Sequence, residues 1–368
     1  MINVLIVDDS LTTQHIISSI LTSDPEIRVI GVVHDGIEAM EFLRTNKPDV
    51  ITMDLHMPRM SGVEVTRQIM QTKPVPIVIV SAFFEPENKE LAFQLMEAGA
   101  VAAIDKPRGS EQQYSESANK LIQLVKNMSE VKLVTRRSSL SRSAEKKAEP
   151  SQQPRPSTTL TSLTPSTPVP SASAQISIIG IGASTGGPPV LRQILSELEV
   201  DFPVPIVVIQ HIAAGFLDGL IDWLSKSTKL KVLTAQQGMV LEPGYIYFAP
   251  NDFQMTVSKD MRAVLSKSES EHGLRPSVSC LFRSLAENFG PAAVGILLTG
   301  MGTDGSPELK LMKNKGAITL AQDEQSSIVF GMPGEAIRIG GATCVLPPEK
   351  VAPTLVALLK SPPKLRRS

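Results

Sequence analysis

The sequence has few cysteines, little net charge and no long apolar run. Its two cysteines, Cys280 and Cys344, are too few for a disulfide framework and lack metal-ligand spacing, so a reducing compartment is expected. With 36 basic and 37 acidic residues, the chain has no charge excess that favours nucleic acid or lipid. The N-terminal text MINVLIVDDS has no basic signal segment, and no apolar stretch could span a bilayer. We therefore expect a cytoplasmic protein that neither binds nucleic acid nor inserts into membranes.

The length and local composition predict two domains joined by a tether. A chain of 368 residues exceeds one typical domain, and its 42% hydrophobic content provides material for two cores. Ser, Thr, Pro and Gln dominate between about residues 127 and 175, in text such as PSQQPRPSTTLTSLTPSTPVPSASAQ. Such text buries too little apolar area to offset its ordering entropy. We therefore predict domains at 1–126 and 176–368, with a flexible linker at 127–175.

Both domains alternate strand-like and helix-like segments, which predicts α/β folds. In the first domain the strand candidates are NVLIV, RVIGVV, DVITM, PIVIVSA and VAAI, separated by helical text such as LTTQHIISSILT. The second domain continues with ISIIGIG, PIVVIQ, KVLTA, YIYFAP, AVGILLTG and AITLAQ. This rhythm predicts doubly wound parallel sheets with helices on both faces. The close spacing of YIYFAP, QMTVSKD and AVLSKS predicts a β-hairpin inserted among the parallel strands of the second domain.

Polar residues follow four of the five predicted strands of the first domain. Open parallel sheets place their ligands at the carboxyl ends of strands. Each residue alone could be a turn former or a helix cap, but together they favour Mg²⁺ bound by Asp9, Asp54 and a carbonyl near His56. The implied chemistry is phosphoryl transfer onto a carboxylate. The residues in question are Asp8, Asp9, Asp54, Ser81 and Lys106.

This first segment resembles the receiver domains of two-component response regulators over roughly the first 125 residues. The resemblance is carried by LIVDDS, DVITMDLHMPRMSG, the strand ending at Ser81 and the pair Lys106-Pro107. It implies a flavodoxin-like (βα)5 fold in which a histidine kinase phosphorylates Asp54. It also implies that Asp8 and Asp9 help Asp54 to bind Mg²⁺, and that Ser81 and Lys106 sense the phosphoryl group. Many receivers carry an aromatic switch residue where this chain has Ala103.

The stretch GIGASTGG, residues 180–187, is compatible with a phosphate-binding loop or with an exposed nucleophile. A dinucleotide-binding loop requires a glycine at position 185, where this chain has Thr185, and an acidic residue about 20 positions later. A P-loop requires a lysine after its glycines. As G-x-S-x-G, the same letters place Ser184 on a strand-to-helix turn that exposes its hydroxyl. A serine before a helix is more often an N-cap, so this motif alone is weak.

A serine nucleophile needs a base and a group that orients the base. His211 ends the strand after the Ser184 helix, whereas His272 lies in the polar text SESEHGLRP and is expected in a loop. Asp304 lies in the glycine-rich loop LLTGMGTDGSPEL, whose free N–H groups could bind an oxyanion. Three such residues at three strand ends predict a triad. Its order, Ser184, His211, Asp304, differs from that of α/β-hydrolases.

The second domain resembles the catalytic domain of the CheB family of chemotaxis methylesterases, over roughly residues 176–360. The text that carries this resemblance is IGASTGGP, IQH with AGF, LRPSV, VGILLTGMGTDG and VFGMPGEAI. It implies that Ser184 attacks the methyl ester of a chemoreceptor glutamate, that His211 takes its proton and that Asp304 orients the imidazole. It further implies that the Met301 N–H helps to bind the oxyanion beside Thr185. Methanol is released, and specific receptor glutamines are deamidated.

The domain order also resembles this family, which implies control of the esterase by the receiver. The unphosphorylated receiver would block the Ser184 cleft, and phosphorylation of Asp54 would relieve the block. The implied partners are chemoreceptors and a histidine kinase, at membrane receptor arrays but outside the bilayer; no cofactor is implied for the catalytic domain. A signalling adaptor without turnover and a receiver-gated nucleotide-dependent enzyme remain alternatives. Residues that depart from the family pattern are Ile212, Leu274 and Ser279.

Overall fold

The structure is a computed structural model that describes residues 1–81, 86–107, 110–131, 174–213, 215–271 and 273–360. Within these ranges the side chains of residues 86–90, 112 and 113 are not described. Most of the predicted linker, residues 132–173, lies outside the described residues, as does His272.

The first domain is a five-stranded parallel sheet with helices on both faces, as the sequence predicted. Its strands are β1 (Ile2–Val7), β2 (Ile27–Val33), β3 (Val50–Met53), β4 (Ile77–Ser81) and β5 (Ala102–Asp105). Its helices are α1 (Leu11–Thr22), α2 (Gly36–Thr45), α3 (Gly62–Thr72), α4 (Pro86–Ala98) and α5 (Glu111–Ser129). The strand order β2-β1-β3-β4-β5 is that of flavodoxin-like folds. Helix α5 runs three residues beyond position 126, into the predicted linker.

Local residue choice explains how these helices begin. Ser10 ends the β1–α1 connection and caps α1 by accepting a hydrogen bond from the Thr13 N–H. Asp35 does the same for α2 and accepts from the first N–H groups of that helix. All four residues of β3 are buried, as expected where helices cover both faces of a sheet.

The second domain is a larger sheet with seven parallel strands. Its strands are β6 (Ile178–Ala183), β7 (Ile206–Gln210), β8 (Lys231–Thr234), β9 (Tyr245–Phe248), β10 (Gln254–Val257), β11 (Ala263–Ser266), β12 (Ala293–Leu297), β13 (Ile318–Gln322) and β14 (Cys344–Leu346). Its helices are α6 (Gly187–Ser196), α7 (Leu217–Ser225), α8 (Val278–Asn288), α9 (Ser306–Asn314), α10 (Met332–Arg338) and α11 (Pro348–Lys360), with a 3-10 turn at Gly290–Ala292. The order β14-β13-β12-β6-β7-β9-β8 leaves β10 and β11 outside this sheet.

The predicted β-hairpin exists, but it is not inserted among the parallel strands. Strand β9 pairs in parallel with β7 and β8, whereas β10 and β11 form a separate antiparallel pair. On the side of β10 that does not face β11, side chains of α8 form hydrogen bonds with the strand backbone. The Val257 N–H donates to the Ser284 hydroxyl, and the Asn288 amide donates to the Val257 carbonyl. The far edge of the hairpin is therefore satisfied by a helix.

The order of the second sheet creates a switch point beside β6. The chain leaves β6 toward β7 on one side and later returns to β12 on the other. Ligand sites in open α/β sheets lie at such points, at the carboxyl ends of the strands. Register pairs Gly182 of β6 with Leu297 of β12, and Ala183 with Gln210 of β7. The residues after these three strands therefore share one edge.

The two domains pack through α4 of the first and α6 and α7 of the second. The Phe93 and Trp223 rings are stacked, with centroids 5.3 Å apart and an interplanar angle of 23°. The Arg192 guanidinium lies 5.0 Å from the centroid of the Trp223 ring and forms an ion pair with Glu97. These four residues are called the α4 contact below.

Candidate functional site

Ser184 lies on a tight turn between β6 and α6. Its N–H donates to the Thr299 carbonyl at 3.0 Å, and its carbonyl accepts the Gly187 N–H at 2.8 Å. The N-cap of α6 is Gly186, in a left-handed conformation with φ of 76°, and no side chain caps this helix. Ser184 is therefore not a helix cap. Its hydroxyl forms no hydrogen bond with any described residue, and it faces a cavity.

The glycine-rich segment does not form a phosphate cradle. Such cradles use N–H groups of the first helical turn, but residues 188 and 189 of α6 are prolines and have none. A Cβ atom at Gly182 would lie 2.4 Å from Val278 Cγ1, and one at Gly180 would lie 2.4 Å from Leu285 Cδ1. These two glycines therefore allow α8 to pack closely on β6 instead of exposing Ser184.

Residues of the loop after β12 contact the Ser184 turn and hydrogen-bond to its backbone. A Cβ atom at Gly300 would lie 2.7 Å from Ser184 Cβ, so only glycine fits there. The Thr299 hydroxyl donates to the Thr185 carbonyl at 3.0 Å, and the Thr299 N–H donates to Gln322 Oε1 at 2.8 Å. Successive residues of one loop therefore hold the backbone on both sides of the serine side chain.

His211 stands beside Ser184 across the sheet. The His211 N–H donates to the Ala183 carbonyl at 2.9 Å, so the residues that follow β6 and β7 remain paired. Neighbouring strands lie about 4.8 Å apart. Ser184 and His211 line the same cavity. Among the described residues no hydrogen bond joins the serine hydroxyl to the imidazole, and catalytic hydrogen bonds often form only when substrate binds.

Asp304 completes the predicted set of three. His211 Nε2 lies 3.0 Å from Asp304 Oδ2, although the ring N–H is not aligned well enough for a regular hydrogen bond. Only 2% of Asp304 is exposed. The contact leaves Nδ1 as the imidazole nitrogen available to the serine. The structure therefore brings Ser184, His211 and Asp304 to one edge, after three adjacent strands.

The carboxylate of Asp304 also meets the start of α8. Its oxygens accept the Val278 N–H at 2.7 Å, the Ser279 N–H at 3.0 Å and the Ser277 hydroxyl at 2.8 Å. Burial alone would raise the pKa of this carboxyl. The contacts with His211 and with the first turn of α8 outweigh burial and hold the pKa well below its usual range.

Three further residues contact this set; the sequence singled out Ser279 only as a departure from the family pattern and did not indicate Ser277 or Gln210. Ser277 is the N-cap of α8, and Ser279 Oγ accepts the Gly305 N–H at 3.0 Å beside Asp304. Gln210 donates from its side chain to two backbone carbonyls near the serine. A serine before the apolar run VSCLF indicates a helix start, but no sequence signal shows that this cap also contacts Asp304. Ser306 is the first residue of α9, and its hydroxyl donates to the Met332 carbonyl.

Two backbone N–H groups near the serine, those of Thr185 and Met301, are candidate oxyanion donors. Thr185 follows Ser184 directly and lines the same cavity, and Met301 follows Gly300 beneath the serine. Within the described ranges neither the Thr185 N–H nor the Met301 N–H donates a hydrogen bond. Both remain candidates for oxyanion donors.

The predicted acidic site of the first domain is also assembled. Oxygen atoms of Asp8, Asp9 and Asp54 lie within 4.8 Å of one another. Asp8 and Asp54 are buried, whereas Asp9 is exposed. Lys106 Nζ lies 2.9 Å from Asp8 Oδ2 and 3.0 Å from Asp54 Oδ2. The Lys106 N–H donates to the carbonyl of the buried Ser81, so these two strand ends lie side by side.

The electrostatics of this site suit a cation. Burial raises the pKa of Asp8, and the nearby Asp54 charge adds to that rise, which exceeds the lowering caused by Lys106. Burial would lower the pKa of Lys106, but Asp54 and Asp8 raise it above its usual value. A divalent cation would relieve the repulsion between the carboxylates, and an all-oxygen donor set fits Mg²⁺. The residues present therefore fit a magnesium ion.

A cavity of about 600 Å³ joins the two domains at the Ser184 edge. The second domain contributes Ser184, Thr185 and His211 to its wall. The first domain contributes residues of β5 and α5, including Ala103 and Lys120. Residues of the first domain therefore line the same cavity as the candidate nucleophile. In the described part of the chain, no helix is long and apolar enough to cross a membrane.

Comparison with known proteins accounts for both domains. Residues 4–116 match the family described as response regulator receiver domain, and residues 179–355 match CheB methylesterase. A protein-glutamate methylesterase/protein-glutamine glutaminase of Nitrosospira multiformis is 47% identical over 98% of this chain and 97% of its own length. One from Syntrophus aciditrophicus is 45% identical over 98% and 99%. The CheB methylesterase catalytic domain of Thermotoga maritima is 36% identical, with 50% of this chain and 100% of that chain covered and a TM-score of 0.49.

Proposed function

Because this chain belongs to the CheB methylesterase family and carries a response regulator receiver domain, we propose that it is a phosphorylation-activated protein-glutamate methylesterase. It demethylates methyl-glutamate residues of chemoreceptors, releases methanol and deamidates specific receptor glutamines. The observation that carries the mechanism is the presence of Ser184, His211 and Asp304 at the ends of three adjacent strands, with His211 Nε2 3.0 Å from Asp304 Oδ2.

Acylation begins at Ser184. The serine Oγ forms a bond to the ester carbonyl carbon, and its proton passes to His211 Nδ1. The Asp304 carboxylate holds the ring and stabilises the imidazolium that forms. The Thr185 and Met301 N–H groups donate to the carbonyl oxygen as it gains negative charge. These roles are supported by the open hydroxyl, the shared cavity and the uncommitted N–H groups.

Release of methanol and addition of water complete the reaction. The carbon–oxygen bond to the methoxy group breaks as His211 returns its proton, and methanol leaves behind a glutamyl ester on Ser184. Water then attacks this ester, with His211 again accepting the proton, and the glutamate carboxylate and free serine are restored. A glutamine side chain follows the same path and releases ammonia in place of methanol.

The receiver supplies the control. A histidine kinase donates the phosphoryl group, and a carboxylate oxygen of Asp54 accepts it. Asp8, Asp9 and Asp54 would hold Mg²⁺, which when bound offsets negative charge on the phosphoryl oxygens. Lys106 then exchanges its contact with the Asp54 carboxylate for a phosphoryl oxygen, and Ser81 at the adjacent strand end contacts another. The proximity of Lys106 Nζ to Asp54 Oδ2, 3.0 Å, supports this exchange.

The unphosphorylated receiver blocks access to Ser184. Residues of β5 and α5 form one wall of the serine cavity, and the α4 contact holds the domains in that arrangement. A receptor segment needs this wall removed before its side chains reach the serine. Phosphorylation of Asp54, at the carboxyl end of β3 in the receiver sheet, releases the block.

Methanol release from methylated receptor membranes tests the nucleophile assignment. Ser184→Ala is expected to abolish release, because no acyl intermediate can form. Ser196→Ala is the matched control, since Ser196 is an exposed serine at the other end of α6 and should leave release unchanged. Release by Ser184→Ala at the wild-type rate would exclude Ser184 as the nucleophile.

A further inference from the structure

Gln210 links the backbone of Ser184 to that of His211. It is the last residue of β7, and only 5% of it is exposed. Its Nε2 donates to the Ser184 carbonyl at 2.8 Å and to the His211 carbonyl at 2.9 Å. The Ser184 carbonyl also accepts the Gly187 N–H, so this oxygen is bound both within its turn and across the strands.

The surroundings allow only one orientation of the Gln210 amide. A reversed amide would place Oε1 against two carbonyl oxygens, which repel it. In the observed orientation Oε1 is buried and has no hydrogen-bond partner among the described residues. It lies over Gly187, where a Cβ atom would come within 2.2 Å of it, and the prolines at 188 and 189 have no N–H to offer. A buried acceptor without a partner is costly, and such exceptions call for an explanation.

We propose that Gln210 is a positioning residue that fixes the Ser184 turn relative to His211 during hydrolysis. This inference rests on the proposed function, because it assigns the serine and histidine the roles of nucleophile and base. No side-chain hydrogen bond ties Ser184 to His211 among the described residues, so their separation depends on the backbone. The His211 N–H bond to the Ala183 carbonyl pairs the strand ends, and the two N–H bonds of Gln210 extend this tie to the Ser184 carbonyl. A glutamine is kept at position 210 despite its unpaired Oε1, because only an amide can donate hydrogen bonds to both of these carbonyls.

Loss of the Gln210 bonds should lower the turnover number more than it changes substrate binding. A displacement of about 1 Å at reacting groups can lower a rate about 100-fold. Gln210→Glu is nearly isosteric, removes both N–H donors and places carboxylate oxygens against the two carbonyls. Gln210→Leu removes the donors without adding charge, so a fall in kcat that both variants share follows from the lost hydrogen bonds.

The test measures kcat and KM of methanol release by the full-length protein with excess phosphodonor. Both Gln210 variants should lower kcat about 10- to 100-fold, with KM within about twofold of wild type. Asn288→Asp is the control, since the Asn288 amide also donates to a backbone carbonyl, that of Val257, at the far end of α8. Its kcat and KM should match wild type.

A second measurement excludes simple loss of folded protein. The rate constant for labelling of Ser184 by a fluorophosphonate probe does not depend on how much protein is folded, and it should fall in both Gln210 variants. Wild-type kcat and labelling rate in both variants would overturn the role of Gln210 alone. Failure of wild-type protein to release methanol or to be labelled at Ser184 would instead overturn the proposed function.

Discussion

Asp304 contacts His211 and the beginning of helix α8 with one carboxylate. The Oδ2 atom that lies 3.0 Å from His211 Nε2 also accepts the Val278 N–H at 2.7 Å. The positive end of the α8 dipole and the imidazole therefore share one buried anion. Because α8 packs on β6 through the space left by Gly182, the helix, the carboxylate and the nucleophile strand form one rigid unit.

Replacing Asp304 by asparagine should reduce both activity and stability. The amide keeps the shape but cannot stabilise an imidazolium, so kcat should fall about 1,000- to 10,000-fold. It also weakens the hydrogen bonds to the first turn of α8, which should cost about 1–2 kcal/mol of unfolding free energy. Methanol release and urea unfolding measure the two effects. Asp323→Asn, after the neighbouring β13, is the control and should retain activity; wild-type kcat in Asp304→Asn would contradict the triad.

Acid should remove the stabilisation that the Asp304 carboxylate provides. The pKa of Asp304 is lower in the folded protein than in the unfolded chain. Its contribution is therefore complete above the unfolded carboxyl pKa of about 3.9 and is lost as the pH falls through the depressed folded value. The difference in unfolding free energy between wild type and Asp304→Asn should thus shrink as the pH is lowered from 7 to about 3.

Fluorescence of Trp223, the only tryptophan, reports unfolding of the catalytic domain in that comparison. A stability difference between the two proteins that stays constant or grows toward low pH would contradict the depressed pKa. The same comparison of unfolding free energies between wild type and Asp323→Asn shows how much of the pH dependence comes from removing a different carboxyl group.

Weakening the α4 contact should raise activity without phosphorylation. Arg192→Ala removes the ion pair with Glu97 and the cation–π contact with Trp223. Because Arg192 and Glu97 are each more than a third exposed, the loss should be only about 1 kcal/mol in total, which corresponds to about fivefold more open form. Methanol release without phosphodonor should rise by the same factor, while release with phosphodonor should change little.

Arg262→Ala provides the matched control, because Arg262 pairs with Asp260 on the β10–β11 hairpin. It should leave release without phosphodonor unchanged. If Arg192→Ala showed no rise, the α4 contact would not hold the receiver over the cleft.

Removal of magnesium should abolish activation but not catalysis. The carboxylates that fit Mg²⁺ belong to the receiver, whereas the serine site contains no comparable acidic cluster among the described residues. Chelation with EDTA should therefore prevent phosphodonor stimulation and leave the unstimulated rate of methanol release unchanged. A proportional loss of the unstimulated rate would indicate a metal requirement at the catalytic site.

Most of the site could be predicted from strand ends alone. The pattern that places Ser184, His211 and Asp304 after apolar runs is a property of the chain, and parallel pairing brings such ends together. The contacts of Gln210 and Ser277 could not be predicted in this way, because they depend on rotamers and on close packing between α8 and β6. The hairpin was predicted, but its separation from the parallel sheet was not, because its outer edge is satisfied by Ser284 and Asn288 of a helix that comes later in the sequence.

The packing of the two domains against each other is harder to predict from the sequence than the site is. Phe93 and Trp223 are separated by 130 positions, and nothing in their local text indicates that the rings stack. Ala103 lacks the aromatic ring that many receivers carry, and in the structure its small side chain lines the serine cavity. Burial patterns predict each core separately, but the surface that joins two cores depends on shape and charge complementarity between helices.

Stimulation of methanol release by a phosphodonor shows whether phosphorylation of Asp54 controls Ser184. Methylated receptor membranes would be incubated with wild type, Asp54→Asn or Ser184→Ala, each with and without an acyl phosphate. Wild type should release methanol faster with phosphodonor, Asp54→Asn should keep an unstimulated rate under both conditions, and Ser184→Ala should release none. Equal stimulation of Asp54→Asn and wild type would contradict control of Ser184 by phosphorylation of Asp54.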